Sequence, residues 1–411
     1  MSIDIVEKSL NMQKIAYVGL PAHGHTNPTL AVMKALVARG HHILYYNAES
    51  FRNKLAHTGV DFRAYPEPMP SEKEMSAALH SLINASLLLS SLSRPLTHFL
   101  LQEFGQEMPD VVIYDSAAMW GYVAARCQEI PQICFVTTFV LDGSMHMLGA
   151  RNLALFIWKS LPHAPRLLRW KRRMANEFGR ENSGGITEYA DLNIVFSSQA
   201  FHPKNSFIDE RFRFVGPSID TTVRPAEFPF DKLQEDKPCV YISLGTITNQ
   251  NIDFYQTAFA AFADYRAQFI LSAGARTDLT QLGNVPDNFI VRNYVPQLQV
   301  LRRADVFITH GGMNSVHEGL YYGVPEIVIP QHLEQYINGK RVVETGAGLI
   351  PKGYRTSKRV SVDALRLALN QILDRPSYKS SAARLGETLR AAGGYDQAAN
   401  EIERFIQAGA T

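Results

Sequence analysis

Short runs of apolar residues alternate with longer segments of helical periodicity along most of this chain. The apolar run at 14–20 precedes a helical segment at 29–39, and a second apolar run follows at 42–46. Further strands are expected at 111–114, 132–136, 192–197, 212–215, 239–244, 269–273, 289–292, 306–310 and 326–329. Apolar runs between turn residues indicate buried strands, and strands that alternate with helices form parallel sheets. The chain is therefore expected to be an α/β protein.

A proline-rich stretch at 217–238, without sustained periodicity, divides this alternation into two parts. The length of 411 residues suits two domains, since a domain usually holds roughly 100–200 residues. We therefore expect an N-terminal domain at 1–216, a linker at 217–238, a second domain at 239–385 and a closing helical segment at 386–411. Two halves of similar pattern predict two Rossmann-like domains that face one cleft.

Composition and charge exclude several classes of protein. The 41 basic and 39 acidic residues give a formal net charge of +2, which provides no broad electrostatic attraction to nucleic acid. Three cysteines without C-x-x-C spacing predict neither a disulfide framework nor a structural zinc site. This cysteine usage favours a reduced, cytoplasmic protein.

Membrane segments are not expected. The polar residues 1–11 lack the apolar stretch of a signal peptide, and polar residues interrupt the apolar run at 79–101. The basic stretch at 159–173 is expected to be a solvated helix face, with docking on an anionic membrane as the less favoured alternative. We therefore expect neither a nucleic-acid partner nor membrane contact.

The second half contains a strand-to-helix junction suited to an anion. The strand expected at 306–310 ends in His310, two glycines form a tight turn, and Asn314 and Ser315 open the next helix. The first backbone N–H groups of a helix lack partners within it, and the helix dipole is positive there. His310 and Ser315 can donate to a phosphate, and Glu318 can accept from ribose hydroxyls. For the two glycines alone, a plain turn is the alternative.

The residues around this junction follow a longer pattern. An aromatic-x-Pro-Gln at 294–297 precedes Thr-His-x-Gly-x-Asn-Ser-x-x-Glu at 309–318, Gly-x-Pro at 323–325 and Glu-Gln-x-x-Asn at 334–338. This series resembles the donor-binding signature of nucleotide-sugar-dependent glycosyltransferases with the GT-B fold. It is most similar to the bacterial macrolide and natural-product glycosyltransferases, as is the His-Gly-His-x-Asn-Pro at 23–28. In the resembling fold, the closing helix crosses back onto the first domain.

The resemblance implies a nucleotide-sugar donor, with UDP-glucose favoured and other UDP- or TDP-sugars left open. The contacts that it implies for the nucleobase and ribose are Tyr294, the Val295 backbone, Gln297 and Glu318. Those implied for the phosphates are Thr246, His310, Gly312, Asn314 and Ser315, and those for the sugar hydroxyls are Glu334 and Gln335. Glu334 stands where the family more often has Asp, which bears on the choice of sugar.

Sugar transfer to an alcohol needs a base, and a histidine with a pKa near 6.5 suits this role at neutral pH. The resemblance assigns the base to His25, in the loop that opens the first helix, rather than to His23. It pairs this base with Asp115, for which helix capping is the alternative. The expected reaction is a direct, inverting displacement with no cofactor. No metal site is expected, because the sequence has no Asp-x-Asp motif.

The expected acceptor is a small hydrophobic natural product, such as a macrolide or a flavonoid, bound by the N-terminal domain. Core packing explains the candidate acceptor residues equally well; they are Leu87, Phe139, Met145, Met147 and Phe156. Two alternatives use the same architecture: a sugar-nucleotide epimerase, which needs no apolar pocket, and a non-catalytic nucleotide-sugar binder, which needs no His–Asp pair. A nicotinamide dehydrogenase is disfavoured because residues 19–28 do not form a Gly-x-Gly-x-x-Gly loop.

Overall fold

Two parallel sheets form the centres of two domains. The structure, a computed structural model, describes residues 12–79, 81–140, 158, 160–182, 188–221, 227–245, 251–352 and 359–409. The strands of the first sheet are β1 (Lys14–Val18), β2 (His42–Asn47), β3 (Asp61–Ala64), β4 (Val111–Asp115), β5 (Gln132–Val136), β6 (Leu192–Val195) and β7 (Phe212–Phe214). Those of the second are β8 (Cys239–Ser243), β9 (Gln268–Ser272), β10 (Phe289–Arg292), β11 (Val306–Thr309), β12 (Glu326–Val328) and β13 (Gly348–Leu349).

Helices connect the strands. They are α1 (His23–Ala38), α2 (Arg52–Leu55), α3 (Glu72–Leu79), α4 (Leu82–Glu107), α5 (Met119–Cys127), α6 (Ala164–Phe178), α7 (Ile252–Phe262), α8 (Gln297–Leu301), α9 (Met313–Tyr321), α10 (Leu333–Glu344), α11 (Val362–Leu373), α12 (Pro376–Ala391) and α13 (Gly394–Gly409). Short 3₁₀ helices lie at Glu49–Phe51, Leu161–His163, Phe230–Lys232 and Leu279–Leu282. Within the described residues, none of the helices combines the length and apolar character that a membrane span requires.

The strand order creates a topological switch point in each sheet. The orders are β3-β2-β1-β4-β5-β6-β7 and β10-β9-β8-β11-β12-β13, and neighbouring strands run parallel. After β1 the chain continues toward one edge of the first sheet, and after β4 it continues toward the other edge. The same reversal occurs after β8 and β11 in the second sheet. Open parallel sheets bind ligands in the crevice at the carboxyl ends of such strand pairs. The predicted α/β architecture of two Rossmann-like sheets is confirmed, and each sheet has one such crevice.

The first sheet is buried on both faces. Along β4, Val111 and Ile113 point into the core that contains Val32 of α1, whereas Val112 and Tyr114 point into the core on the opposite face. This alternation follows from the period of two residues in a strand. Because both faces are covered, the backbone is held firmly where the strands end and the site residues begin.

Two edge strands were missed by the sequence prediction. Strand β3, with an Asp and an Arg among its residues, is only half-buried, and β13 is two residues long. An edge strand has a neighbour on one side only, so its sequence need not form a continuous apolar run. The apolar runs predicted the central strands to within a few residues.

The predicted start of the first helix at Thr29 is wrong. Helix α1 begins at His23 and contains Pro28 in its second turn. Proline has no N–H group to donate to the carbonyl four residues earlier, which is that of Gly24. The Gly24 carbonyl is therefore left for a partner outside the helix.

The closing segment is two helices rather than the one predicted. The break lies at Gly393 and Gly394, whose φ angles of +93° and +65° favour glycine. Helix α13 lies against α1 of the first domain, where Arg39 Nη1 donates 2.8 Å hydrogen bonds to Glu403 Oε2 and Asn400 Oδ1. Ala398, Ala399 and Ile402 of this helix belong to the first domain's core.

We predict that Glu326 makes folding sensitive to pH. This residue of β12 is fully buried, and neither of its carboxyl oxygens has a hydrogen-bond partner among the described residues. Burial raises its pKa well above 4.5, so the folded state keeps the proton that the unfolded chain releases. Stability should therefore fall as pH rises above about 4.5, by up to about 1.4 kcal/mol per pH unit, until the folded pKa is reached.

Urea unfolding of Glu326→Gln between about pH 5 and pH 8 checks this expectation. The variant should lack the loss of stability that ionisation of Glu326 causes. The difference in free energy of unfolding between the variant and the parent protein should therefore grow with pH. The exposed Glu387→Gln serves as the control. An advantage that is the same at both ends of the pH range would show that Glu326 ionises normally in the folded protein.

Candidate active site

Three polar side chains meet at the crevice of the first sheet. His25 lies in the first turn of α1, Asp115 is the last residue of β4, and Thr137 directly follows β5. Asp115 Oδ1 and Oδ2 lie 3.0 and 2.8 Å from His25 Nδ1, and Thr137 Oγ1 lies 3.0 Å from the same nitrogen. Because a carboxylate can only accept, Nδ1 carries the proton and Nε2 keeps its lone pair. The imidazole is held in the tautomer that leaves Nε2 as a base.

The charges around His25 favour its protonated form. Burial by itself lowers the pKa of this imidazole, but the Asp115 carboxylate raises it, and so does Glu334 from the second domain. The net result is a pKa above the ordinary value of 6.5. The side chain of His25 is 16% exposed, whereas that of Asp115 is fully buried. The pair therefore suits a group that accepts a proton and then carries a stabilised positive charge.

The neighbouring His23 lies apart from this group. Its ring packs against Phe51, with centroids 5.1 Å apart, and its Nδ1 lies 3.0 Å from Lys54 Nζ. Asp115 Oδ1 also accepts a 2.9 Å hydrogen bond from the Ala117 N–H. The same carboxylate thus both orders the start of the following turn and bonds His25.

A glycine-containing turn follows β11 at the crevice of the second sheet. Gly311 has a φ angle of +85°, and a Cβ atom there would lie 2.6 Å from Val328 Cγ1, so only glycine fits. His310 lies between two other glycines. A Cβ on Gly245 would come within 2.6 Å of His310 Cε1, and one on Gly312 within 2.6 Å of His310 Nε2. The absence of these carbons leaves room for the His310 ring between Gly245 and Gly312, beside the start of α9.

The start of α9 offers hydrogen-bond donors. Its N-cap residue is Gly312, and no described side chain caps it. Asn314 and Ser315 follow in the first turn, where the backbone N–H groups have no acceptor within the helix. Burial lowers the pKa of His310 to about 4, while a hydrogen bond to the Ser243 backbone offsets part of this effect, so the ring is neutral and has a single N–H group to donate. This junction can bind an anion through dipoles without a fixed positive charge.

One hydrogen bond joins the two crevices. Asn314 Nδ2, in the first turn of α9, donates to the Gly24 carbonyl at a distance of 3.1 Å. This is the carbonyl that Pro28 leaves without an intrahelical donor. Because His25 is the next residue after Gly24, the bond brings the start of α9 beside the candidate base.

A second polar cluster lies at the start of α8. Gln297 Nε2 donates to Glu318 Oε2, and Tyr241 Oη donates a 3.0 Å hydrogen bond to Gln297 Oε1. Burial raises the pKa of Glu318 to about 7, while the bond from Gln297 lowers it in part. The structure thus joins the two residues that were implied for the ribose. Tyr294, just before this helix, is 73% exposed and can stack on a ligand, and Val295 is buried.

The two residues implied for the sugar differ in their surroundings. Glu334, in the first turn of α10, is exposed to the cleft. Surrounding protein atoms raise its pKa above 4.5, and His25 and Asn338 offset part of this rise. Gln335 is buried, and its Oε1 accepts a 2.8 Å hydrogen bond from the Gln331 N–H. The amide NH₂ group of Gln335 can still donate to a ligand.

Some predicted residues are not part of the observed site. Thr246, Met145, Met147 and Phe156 lie outside the described residues. Phe139 packs against Phe201 and the second domain's Val316 in the core between the domains, rather than lining an open pocket. Among the described residues, no group of three or more His, Cys, Asp or Glu side chains is placed to hold a metal ion.

Sequence reasoning assigned no role to three residues that shape the site, although Asn338 ends the pattern at 334–338. Thr137 contacts His25, Tyr241 orients Gln297, and Asn338 Nδ2 donates a 2.9 Å hydrogen bond to the Gly311 carbonyl. Thr137 follows a predicted strand next to that of Asp115, so its position at the sheet edge was a usable signal. Tyr241 lies inside an apolar strand, where the sequence does not distinguish it from core.

Comparisons with known proteins all lead to glycosyltransferases and their family. A family model described as the C-terminal domain of erythromycin biosynthesis protein CIII-like proteins matches residues 257–403. The chain is 31% identical to the uncharacterized UDP-glucosyltransferase YojK of Bacillus subtilis, over 96% of this chain and 98% of that protein. It is 32% identical to the NDP-glycosyltransferase YjiC of the same organism, over 96% and 97%. The solved glycotransferase of kitacinnamycin superposes with a TM-score of 0.80 at 29% identity, covering 96% of this chain and 99% of that one.

We predict that Asp115→Asn lowers the pKa of His25. The substitution removes the negative charge that opposes the effect of burial, while keeping the size of the side chain. An NMR titration of the His25 ring measures the change directly, and the exposed His42 is the internal control. An unchanged or higher pKa for His25 in the variant would mean that Asp115 does not hold the imidazolium.

Proposed function

Because the chain belongs to the family of macrolide-type glycosyltransferases, we propose that it is an inverting enzyme that moves a hexose from a UDP-sugar to a hydroxyl group of a small hydrophobic natural product. One observation carries this proposal. The His25–Asp115 pair of the first domain lies beside the start of α9, to which the Asn314–Gly24 hydrogen bond connects it. A base and an anion-binding helix start thus face the same cleft.

In the proposed reaction, His25 Nε2 takes the proton of the acceptor hydroxyl as its oxygen attacks the anomeric carbon. The bond from this carbon to the diphosphate breaks, and UDP leaves with the electron pair from the opposite side. An α-linked donor therefore gives a β-linked product. Asp115 holds the imidazole through Nδ1 and stabilises the imidazolium that forms.

The leaving diphosphate needs groups that stabilise its growing charge. In the proposed complex, the groups that stabilise this charge lie where β11 ends. They are the N–H groups at the start of α9, the hydroxyl group of Ser315 and the neutral imidazole of His310. Asn314 is the further phosphate ligand that we propose, through the second N–H of the amide group that bonds the Gly24 carbonyl. With these donors the proposed reaction uses no resident metal or cofactor, and Thr246 adds one more donor.

The donor is proposed to lie along the second sheet. Uracil stacks on the exposed ring of Tyr294 and bonds the Val295 backbone, and the ribose hydroxyls bond Gln297 and Glu318. Glu334 at the cleft and the amide of Gln335 take the sugar hydroxyls. Glucose is the proposed sugar, and the longer side chain of Glu334 in place of Asp is the feature that bears on this choice.

The acceptor is proposed to bind in the first domain, with its hydroxyl at His25. The family model of erythromycin biosynthesis proteins favours a macrolide, and a flavonoid is the other acceptor that we propose. The glycosyltransferase relatives cover nearly the whole chain. These relatives favour transfer over an epimerase or a non-catalytic nucleotide-sugar binder. Three unpaired cysteines, Cys127, Cys134 and Cys239, suit a reducing compartment, and we place the enzyme in the cytoplasm. The proposal includes no nucleic-acid or membrane partner.

We predict that His25→Ala abolishes transfer and spares UDP binding. Loss of a general base typically lowers a rate by roughly 10²- to 10⁴-fold. The wild-type enzyme is first incubated with a panel of flavonoids and macrolides and several sugar nucleotides, and mass spectrometry detects hexose adducts. The rate with the best pair and the UDP affinity by calorimetry are then measured for the variant.

The matched control is His23→Gln, which alters the neighbouring histidine outside the Asp115 pair and should keep most of the activity. Retained transfer in His25→Ala would remove this residue from the mechanism. Loss of UDP binding together with transfer would indicate a structural role. A wild-type enzyme that transfers no sugar in the panel, yet binds UDP, would favour the non-catalytic alternative.

We also predict that UDP binding weakens as pH falls through neutrality. Burial raises the pKa of Glu318 to about 7. Only the ionised carboxylate is a strong hydrogen-bond acceptor for the ribose hydroxyls. Above that pKa the ionised form is present, and below it the proton must be lost before binding. The dissociation constant should rise by up to about tenfold between about pH 8 and pH 6.

Calorimetry with Glu318→Gln isolates this effect from the titration of UDP itself. The variant should bind UDP more weakly at high pH and lose the additional pH dependence. A parallel pH profile for both proteins would mean that Glu318 does not titrate in the binding step.

A further inference from the structure

A loop of the first domain contacts the helices that carry the donor site. This bridging loop, residues 197–202, follows β6 at the same edge of the sheet as His25. It forms one tight turn, in which the N–H groups of Phe201 and His202 donate to the Ser198 carbonyl at 3.1 and 3.0 Å. The carbonyls of residues 200–202 accept no backbone hydrogen bond within this turn.

The bridging loop bonds two helices of the second domain through its serines. Ser197 Oγ lies 3.0 Å from His317 Nε2 in α9, and Ser198 Oγ lies 3.0 Å from Thr388 Oγ1 in α12. Between them, Phe201 is fully buried in a core that includes Leu320 of α9. Burial lowers the pKa of His317 to about 3, so this contact is neutral. The loop is thus packed against the helix whose first turn holds the proposed phosphate ligands.

Arg341 of α10 makes the most extensive contact with the bridging loop. Its Nε donates to the Phe201 carbonyl at 2.6 Å, and its Nη2 donates to the carbonyls of Ala200 and His202 at 3.0 and 3.3 Å. Three consecutive carbonyls of one domain are thus bonded by one guanidinium of the other. The planar fork of an arginine can reach all three at once, which a lysine ammonium cannot do in the same way.

Helix α10 connects this contact to the cleft. Glu334 lies in its first turn and Arg341 seven residues later, which is close to two full turns of an α-helix. The two side chains therefore leave the helix on nearly the same face. Asn338, between them, holds the Gly311 carbonyl of the turn before α9 at 2.9 Å. A rotation of α10 about the Arg341 contact would move both Glu334 and the phosphate-binding turn relative to His25.

We propose that Arg341 is a positioning residue for the transfer reaction, which sets the donor-binding helices against His25 by holding the carbonyls of residues 200–202. This inference rests on the proposed function and extends it to a residue more than one helical turn away from the proposed sugar contacts. Arg341 touches neither donor nor acceptor in this arrangement. Its effect on the reaction passes through α10 and the turn at Gly311.

The expected consequence of removing the guanidinium is a misplaced donor rather than an unbound one. Displacements of about 1 Å between reacting groups lower rates by as much as 10²-fold. Arg341→Met should therefore lower kcat by roughly 10- to 100-fold, while the UDP dissociation constant changes by less than about threefold. Arg341→Lys keeps the charge and one donor group, and should recover part of the loss.

The test measures kcat, the KM for the donor, UDP affinity and the pKa of His25 in both Arg341 variants. Lys340→Met is the matched control, since Lys340 is the adjacent basic residue and pairs with Glu344 on the helix surface. The pKa of His25 reports the geometry, because it depends on Asp115 within its own domain and on Glu334 from α10. A shift of α10 away from His25 should lower it, whereas a uniform loss of stability would leave it unchanged in the folded fraction.

A wild-type kcat in folded Arg341→Met would overturn the proposal, as would an unchanged pKa of His25 with kcat and UDP affinity lost together. If the methionine variant does not fold, the lysine variant supplies the same comparison. Failure of the proposed function is a separate result: the wild-type enzyme would then transfer no sugar. In that case the NMR titration of His25 in Arg341→Lys still shows whether this residue sets the distance between the domains' active groups.

Discussion

The site depends on the hydrogen bond from the Asn314 amide to the Gly24 carbonyl, which joins the first turns of two helices across the cleft. Its acceptor exists because Pro28, inside α1, has no N–H group to donate to that carbonyl. The residue that would weaken an ordinary helix thus leaves a carbonyl available for this contact between the domains. Each helix follows a strand at the switch point of a parallel sheet, where ligands bind in this architecture.

The surroundings of the titratable side chains in the cleft give them different pKa values and therefore different roles. Burial lowers the pKa of His310 to about 4 and keeps it a neutral donor, whereas the Asp115 and Glu334 carboxylates raise the pKa of His25 despite its own burial. The pKa values of these two histidines are therefore shifted in opposite directions, because only His25 faces carboxylates. The same principle acts on Glu318, whose raised pKa of about 7 places its ionisation in the physiological range.

Much of the fold could be predicted from the sequence, because buried parallel strands are continuous apolar runs. The prediction was less accurate where a strand has one neighbour, as in β3, or where a helix continues through a proline, as in α1. The glycine-containing turn and the start of α9 near Asn314 could be predicted from local spacing. Phe139 was not, since an aromatic residue near the cleft has the same sequence signature in a pocket as in the core between two domains.

The sequence by itself determined which residues follow the carboxyl ends of the central strands, and hence which side chains enter the cleft. Local spacing contains this information because a parallel sheet brings all strand ends to one edge. Only the tertiary structure decided the partners across the cleft: Asn314 with Gly24, Glu334 with His25, and Arg341 with residues 200–202. These contacts join residues more than a hundred positions apart, so their distances follow from how the two domains pack and from no pattern within either.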